Sequence, residues 1–161
     1  MKVIKAKTAG FCFGVKRAVD TVYKQVDTKC GQIYTYGPII HNEEVIKDMR
    51  DKGVIVLRSE EDLDMISQGT VIIRSHGVEK RIYEKIEQKG LRIVDATCPF
   101  VAKIHKIAME ADKIGALLLV AGDADHPEVQ GIVGHTTGPV RVFADLEQLQ
   151  KLLPELLQQE S

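Results

Sequence analysis

The chain has 161 residues, 44% of them apolar, with a formal net charge of −1 and 5% aromatic residues without a single Trp. That length and apolar content suffice for one sizeable core or two small ones. The balanced charge removes an electrostatic case for nucleic acid or an anionic membrane, the scarcity of aromatics argues against stacking platforms for bases, and no apolar run approaches the roughly 20 residues that span a bilayer.

In chain order, the basic start Met1-Lys2-Val3-Ile4-Lys5 lacks the apolar stretch of a signal peptide, and residues 3–6 read as a short strand. Val15, Ala18, Val19, Val22 and Tyr23 recur at helical spacing and predict a helix over 15–24. Ile33-Tyr34-Thr35-Tyr36 is rich in β-formers and stops at Gly37-Pro38, which predicts a strand. A helix over 42–52 closes at Gly53, and a strand follows at 54–57. Ser59-Glu60-Glu61-Asp62 has the form of a capping box and opens a short helix that stops near Gly69. Residues 71–74 read as a buried strand entering the turn Ser75-His76-Gly77. A helix over 79–89 ends at Gly90, and a strand at 91–94 leads to Cys98. Then come a helix over 100–113 stopped by Gly115, a strand at 116–121, a short helix over 127–133, a strand at 140–143 and a helix from Asp145. Strands alternating with helices predict a parallel α/β fold, because parallel strands need crossover segments. Ligand loops then belong at the carboxyl ends of the strands.

The same αβ unit is written twice. Gly10-Phe11-Cys12-Phe13-Gly14 and Ala96-Thr97-Cys98-Pro99-Phe100 each put a cysteine at a helix start, 86 residues apart. His41-Asn42-Glu43 and His126-Pro127-Glu128 are 85 apart, and the strand at 54–57 has its echo at 140–143. Fixed-period self-similarity of this kind marks a repeated structural unit. Residues 1–97 form the first α/β unit in this reading and 98–161 the second. A shift of about 85 would set the counterparts of the 71–74 strand and the Ser75-His76-Gly77 loop near Pro154-Glu155-Leu156-Leu157, where a helical stretch stands instead. The second unit is therefore expected to be truncated and a third unit absent, as in a fragment or shortened relative.

Three cysteines are an odd number for a disulfide framework, so reduced thiols in a soluble cytoplasmic protein are expected. Cys12 and Cys98 open helices, where the dipole favours the thiolate that iron or zinc binds. A free cysteine is ordinarily a small buried hydrophobe, but two at matched positions of a repeat outweigh that reading. Cys30 sits in a polar turn without a repeat partner and reads as incidental. His41, His76 and His126 lie at strand–loop junctions among Gly and Pro. One such histidine is an ordinary surface residue; three at analogous junctions suggest a binding cluster, for metal as imidazole or for phosphate as imidazolium. His105, between Lys103 and Lys106, reads as solvated surface, and His135 as structural. Glu128 is either a favourable acid at a helix start or a proton donor beside the cluster, and the residues alone do not choose. No Walker A, dinucleotide fingerprint or Ser-His-Asp pattern stands out.

Taken together, Ala9-Gly10-Phe11-Cys12-Phe13-Gly14-Val15, Gly37-Pro38-Ile39-Ile40-His41-Asn42, Arg74-Ser75-His76-Gly77-Val78, Asp95-Ala96-Thr97-Cys98-Pro99 and His126-Pro127-Glu128-Val129-Gln130-Gly131 resemble, in order and spacing, the 4-hydroxy-3-methylbut-2-enyl diphosphate reductase (LytB) family. That family catalyses the last step of the non-mevalonate isoprenoid pathway. The resemblance covers essentially the whole chain. It implies three α/β units in a trefoil around a 4Fe-4S iron–sulfur cluster held by three cysteines, with Cys12 and Cys98 as the first two ligands. It implies His41, His76 and His126 around the diphosphate, and Glu128 in a proton relay. The implied reaction removes an allylic hydroxyl with two electrons and two protons to give isopentenyl and dimethylallyl diphosphate, with an electron donor such as ferredoxin or flavodoxin.

The third cluster cysteine and further Ser, Asn and Thr contacts of the family fall in the absent third unit. The expectation is therefore half a pocket, inactive as an isolated monomer. Other readings stay open at this point. Two chains could pool Cys12 and Cys98 into four thiolates as a non-enzymatic homo-oligomeric module. The chain could be a cluster-free diphosphate-binding scaffold. Zinc on the cysteines and a histidine is a fourth option, lacking a local clamp of closely spaced ligands. A sheet edge left open by the truncation would favour dimerisation.

Overall fold

A computed structural model describes residues 1–28 and 31–158, so Cys30 lies outside the described residues. Helix α1 (Phe13–Thr28) starts directly after Cys12, whose carbonyl accepts the first helical bond from the Lys16 N–H at 2.9 Å. It buries Gly14, Ala18, Val19 and Val22, the stripe that the apolar spacing sets out.

Strands β1 (Ile33–Tyr36), β2 (Ile55–Leu57), β3 (Thr70–Ile73) and β4 (Arg92–Asp95) form one sheet in the order β2-β1-β3-β4, every pair parallel. Strand β3 is buried at all four positions because helices cover both faces. Side chains alternate across a strand, so Ile72 joins Ile33 and Ala96 in a core with α1 and α2 (Glu43–Asp51). Val71 and Ile73 point the other way, into a core with Leu63 of α3 (Glu60–Asp64) and Ile82 and Ile86 of α4 (Lys80–Gln88). The predicted parallel α/β architecture is the one observed.

The element order then recurs. Helix α5 (Pro99–Lys113), β5 (Leu118–Ala121), α6 (Pro127–Val133) and β6 (Val140–Phe143) follow α1, β1, α2 and β2 at intervals of about 85 residues. Strands β5 and β6 pair in parallel as a second sheet, Leu118 opposite Val140, over a core of Ala108, Val120, Val129 and Ile132. Helix α7 (Leu146–Gln158) takes the place of α3 and continues past the length of α3. Even the cap repeats. Ser59 Oγ accepts the Asp62 N–H at 3.4 Å, while Asp62 accepts the N–H of Arg58, one residue earlier than a standard capping box. Asp145 accepts the Gln148 N–H at 2.8 Å, and Gln148 accepts that of Ala144.

The strand predicted at 3–6 does not form. The segment is irregular and exposed, Val3 at 81%. Its β-branched residues have no neighbouring strand to pair with among the described residues, and β-propensity without a ladder partner does not make a strand. No helix among the described residues is long and apolar enough to cross a membrane.

Ile72, with no exposed surface on the central strand, anchors one core. Ile72→Ala is expected to destabilise the fold by about 3–4 kcal/mol, seen as a lower urea midpoint at unchanged slope. Ile55→Ala, on the half-exposed edge strand, is expected to cost less than about 1 kcal/mol.

Candidate active site

Four parallel strands end in loops that carry candidate residues: β1 leads to His41, β3 to His76, β4 to Cys98 and β5 to His126. In the order β2-β1-β3-β4 the chain passes from β1 outward to β2 and then to β3 on the other side. Such a reversal opens a crevice at the carboxyl ends of the strands, and His41 and His76 stand on its two sides.

Hydrogen bonding continues beyond the strands. Ser75, 5% exposed, donates both its N–H and its hydroxyl to the Ile39 carbonyl, at 3.3 and 3.1 Å. Its own carbonyl accepts the Cys98 N–H at 2.9 Å. One buried serine thus holds the His41, His76 and Cys98 loops in mutual register.

The His41 and His76 rings lie 4.9 Å apart between centroids, and His76 and His126 6.0 Å apart in an edge-on arrangement. Burial, with positive charge from His41, Arg74 and His126, pushes His76 down to about 4, so its ring is neutral at neutral pH. His126 serves as the N-cap of α6: its Nδ1 accepts the Glu128 N–H at 3.2 Å, which assigns the ring proton to Nε2. At the matching start of α2 the cap is Asn42, accepting the Val45 N–H at 3.0 Å, and His41 precedes it. Glu128 sits in the first turn of α6, and its carboxylate makes no hydrogen bond or ion pair among the described residues.

Arg74 adds a fixed charge to this region. Its guanidinium is half-buried, has no carboxylate partner among the described residues, and donates to the Gly77 carbonyl at 3.3 Å. It lies against Gly37, where φ is +73° and a Cβ would fall 2.6 Å from a terminal nitrogen. Glycine is needed there on both counts. A cavity of about 230 Å³ is lined by Arg74 together with Tyr36, Gly37, Arg58, Pro127 and Gln130.

Cys12 and Cys98 are free, Cys12 exposed and Cys98 half-buried. A Cβ on Gly14 would overlap Cys98 Sγ and lie 3.0 Å from its Cβ, so the first turn of α1 packs directly on Cys98. Arg17, one turn on, donates to the Thr97 carbonyl at 2.9 Å and to that of Asp95 at 3.4 Å. The two cysteines therefore stand at adjoining helix starts, flanked by the exposed rings of Phe11, Phe13 and Phe100. No group of three or more His, Cys, Asp or Glu among the described residues is close enough to hold a metal ion unaided.

His105 is a correction. It is not solvated but 4% exposed, on the inward stripe Val101-His105-Ala108 of α5. The positions one turn either side show the signal in the sequence; reading the histidine by its neighbouring lysines missed it. Its ring stacks on His135 at 4.2 Å, and His135 Nε2 lies 3.0 Å from the Val78 carbonyl, in keeping with a structural role for His135. Ser75 and Arg74 were legible only as members of a motif, and Arg17 lies outside every motif read in the sequence.

Comparisons with known proteins bear on this geometry. A family model described as LytB protein matches residues 3–160. The chain is 42% identical over 153 residues to a protein of Caldanaerobacter subterraneus subsp. tengcongensis named 4-hydroxy-3-methylbut-2-enyl diphosphate reductase, covering 94% of this chain and 53% of that protein. It is 47% identical over 152 residues to the protein of the same name from Geotalea uraniireducens, covering 94% and 52%. Among solved structures, (E)-4-hydroxy-3-methyl-but-2-enyl diphosphate reductase, described as the terminal enzyme of the non-mevalonate pathway, superposes with a TM-score of 0.80 at 36% identity, covering 94% of this chain and 54% of that one. The E-1-hydroxy-2-methyl-but-2-enyl-4-diphosphate reductase from Plasmodium falciparum gives a TM-score of 0.82 at 28% identity, covering 91% and 45%. The chain spans about half the length of the curated relatives it matches.

His76 and His105 both lie near 4 in the folded chain, well below the ordinary 6.5. The unfolded chain therefore binds protons more readily between those values. Stability is expected to be full above about pH 6.5 and to fall as the pH drops toward 4, by about 3 kcal/mol for His105 alone. Melting temperatures between pH 7.5 and 5 check this, with a flatter profile expected for His76→Asn.

Proposed function

We propose that this chain, which belongs to the LytB protein family, supplies the diphosphate pocket and two cluster thiolates of a cytoplasmic 4-hydroxy-3-methylbut-2-enyl diphosphate reductase. The observation that carries this reading is the convergence of His41, His76 and His126 at the strand ends, with Cys98 tied to the His76 loop through Ser75.

The three imidazoles bind the diphosphate, and Arg74 adds positive charge beside them. His76 is neutral while the site is empty because its surroundings are apolar and positive; an arriving anion reverses that penalty, and the ring takes up a proton. Glu128, whose carboxyl group has no partner among the described residues, takes up a proton and passes it to the departing hydroxyl oxygen. The allylic C–O bond breaks and the hydroxyl leaves as water. Two electrons and a second proton form the new C–H bond of isopentenyl or dimethylallyl diphosphate, the electrons coming from a carrier of the ferredoxin or flavodoxin type.

Cys12 and Cys98 would hold the iron–sulfur cluster. They are free thiols at adjoining helix starts, residue 14 is restricted to glycine by the Cys98 sulfur, and thiolates are the ligands such clusters take. When bound, the cluster supplies electrons and a Lewis-acidic iron for the hydroxyl. Two thiolates leave cluster positions to be filled from outside these residues, so the isolated chain is expected not to turn over.

Anaerobic reconstitution with iron and sulfide, followed by iron, sulfide and mass determination, tests the thiol assignment. Bound iron and sulfide are expected in the wild type and lost in Cys12→Ser and in Cys98→Ser; equal loading of all three would refute it. Calorimetry with inorganic diphosphate, in buffers of different ionisation enthalpy, tests the pocket. Proton uptake on binding and tighter binding from pH 8 to 6 are expected, both reduced in His76→Gln. Binding without any change in uptake in that variant would remove His76 from the diphosphate site.

A further inference from the structure

The least ordinary group outside the proposed site is the imidazole of His105. It is buried in a helix, and its Nε2 has no hydrogen-bond partner among the described residues. Two glycines from two different elements lie against this one ring. A Cβ on Gly77, the residue after His76, would fall 2.5 Å from His105 Cε1. A Cβ on Gly131 of α6, the helix that His126 caps and Glu128 opens, would fall 3.1 Å from His105 Nε2 and 3.6 Å from the His76 carbonyl. Gly77 has φ of +70° and favours glycine regardless. Gly131 does not: no positive φ holds it to glycine, it sits inside a helix where Ala is the better residue, and the ring is the nearest obstacle.

The remaining contacts point the same way. His135, stacked on His105, meets the Val78 carbonyl, and the Lys80 N–H donates to the Gly134 carbonyl at 3.2 Å. The loop after β3 and helix α6 are thus bonded at one end, and at the other, where Gly131 faces the His76 carbonyl, both rest on the one imidazole. We infer that His105 is a positioning residue: it is the spacer that sets His76 against His126. Burial keeps the ring uncharged at neutral pH, so it fills this gap without importing a buried charge. The inference rests on the proposed diphosphate reading only for its second measurement.

A double-mutant cycle on the full chain tests it, read by the imidazole NMR signals of His76 and His126 and by calorimetry with inorganic diphosphate. His105→Ala is expected to move both imidazole signals and to weaken diphosphate binding about tenfold. Gly131→Ala alone is expected to do likewise, because the new methyl meets the ring. In the double variant the methyl occupies vacated space, so signals and affinity return part of the way, and the two effects do not add. Melting curves verify that each variant is folded; if His105→Ala is not, His105→Val, which also removes the ring, replaces it, with shifted signals again expected. Unmoved His76 and His126 signals in a folded His105 variant, or strictly additive effects, would overturn the inference. Absence of diphosphate binding by the wild type would sink the diphosphate reading instead, and the imidazole signals would still decide for or against the spacer.

Discussion

The site depends on a carbonyl shared twice. Ile39 C=O receives both the amide and the hydroxyl of Ser75, and Ser75 C=O receives the amide of Cys98. Parallel ladders normally end with the strands, leaving the loops beyond free to diverge. Here the ladder is carried two residues further by a side chain, and three loops are fixed before any ligand arrives. Burial makes each of these bonds costly to leave unmade, so the loop geometry is as rigid as the sheet beneath it. Gly14 and Arg17 extend the same constraint to the first turns of α1, the helix that starts directly after Cys12.

Against this rigidity the electrostatics are unbalanced. Three imidazoles and the Arg74 guanidinium share a small region; Glu79 of the same cavity is paired with Arg81, and Glu128 forms no ion pair among the described residues. Burial first, and the neighbouring positive charge second, leave His76 uncharged. Preorganisation of position combined with uncompensated positive charge is what the proposed diphosphate site requires: the loops need not rearrange at binding, and the anion would supply the missing sign.

Most of the fold was legible because its signals are local. Periodicity located α1, β-formers located β1, glycines stopped α2, α4 and α5, and the 85-residue echo placed a strand at 140–143, where β6 is observed. The strand at 3–6 misled because a strand is a property of pairs, and its residues alone cannot announce a missing neighbour. His105 misled for a different reason: chemical identity was weighed above position, although Val101 and Ala108 mark its face as the inner one. Ser75 and Arg17 act on backbone carbonyls 36 and 80 residues away. Nothing in their own surroundings encodes such partners.

The two copies of the unit are not equal at their helix starts. In the first, capping α2 belongs to Asn42 and the imidazole belongs to His41; in the second, one residue, His126, performs both tasks for α6. Position 126 is therefore pleiotropic. On the proposed diphosphate reading, any drift there is opposed by stability and by ligand chemistry at once, whereas 41 and 42 can each be tuned with the other held constant. Descent from one ancestral unit would have left a division of labour in one copy and a fused role in the other, and evolvability of the pocket is concentrated on the side where the roles are split.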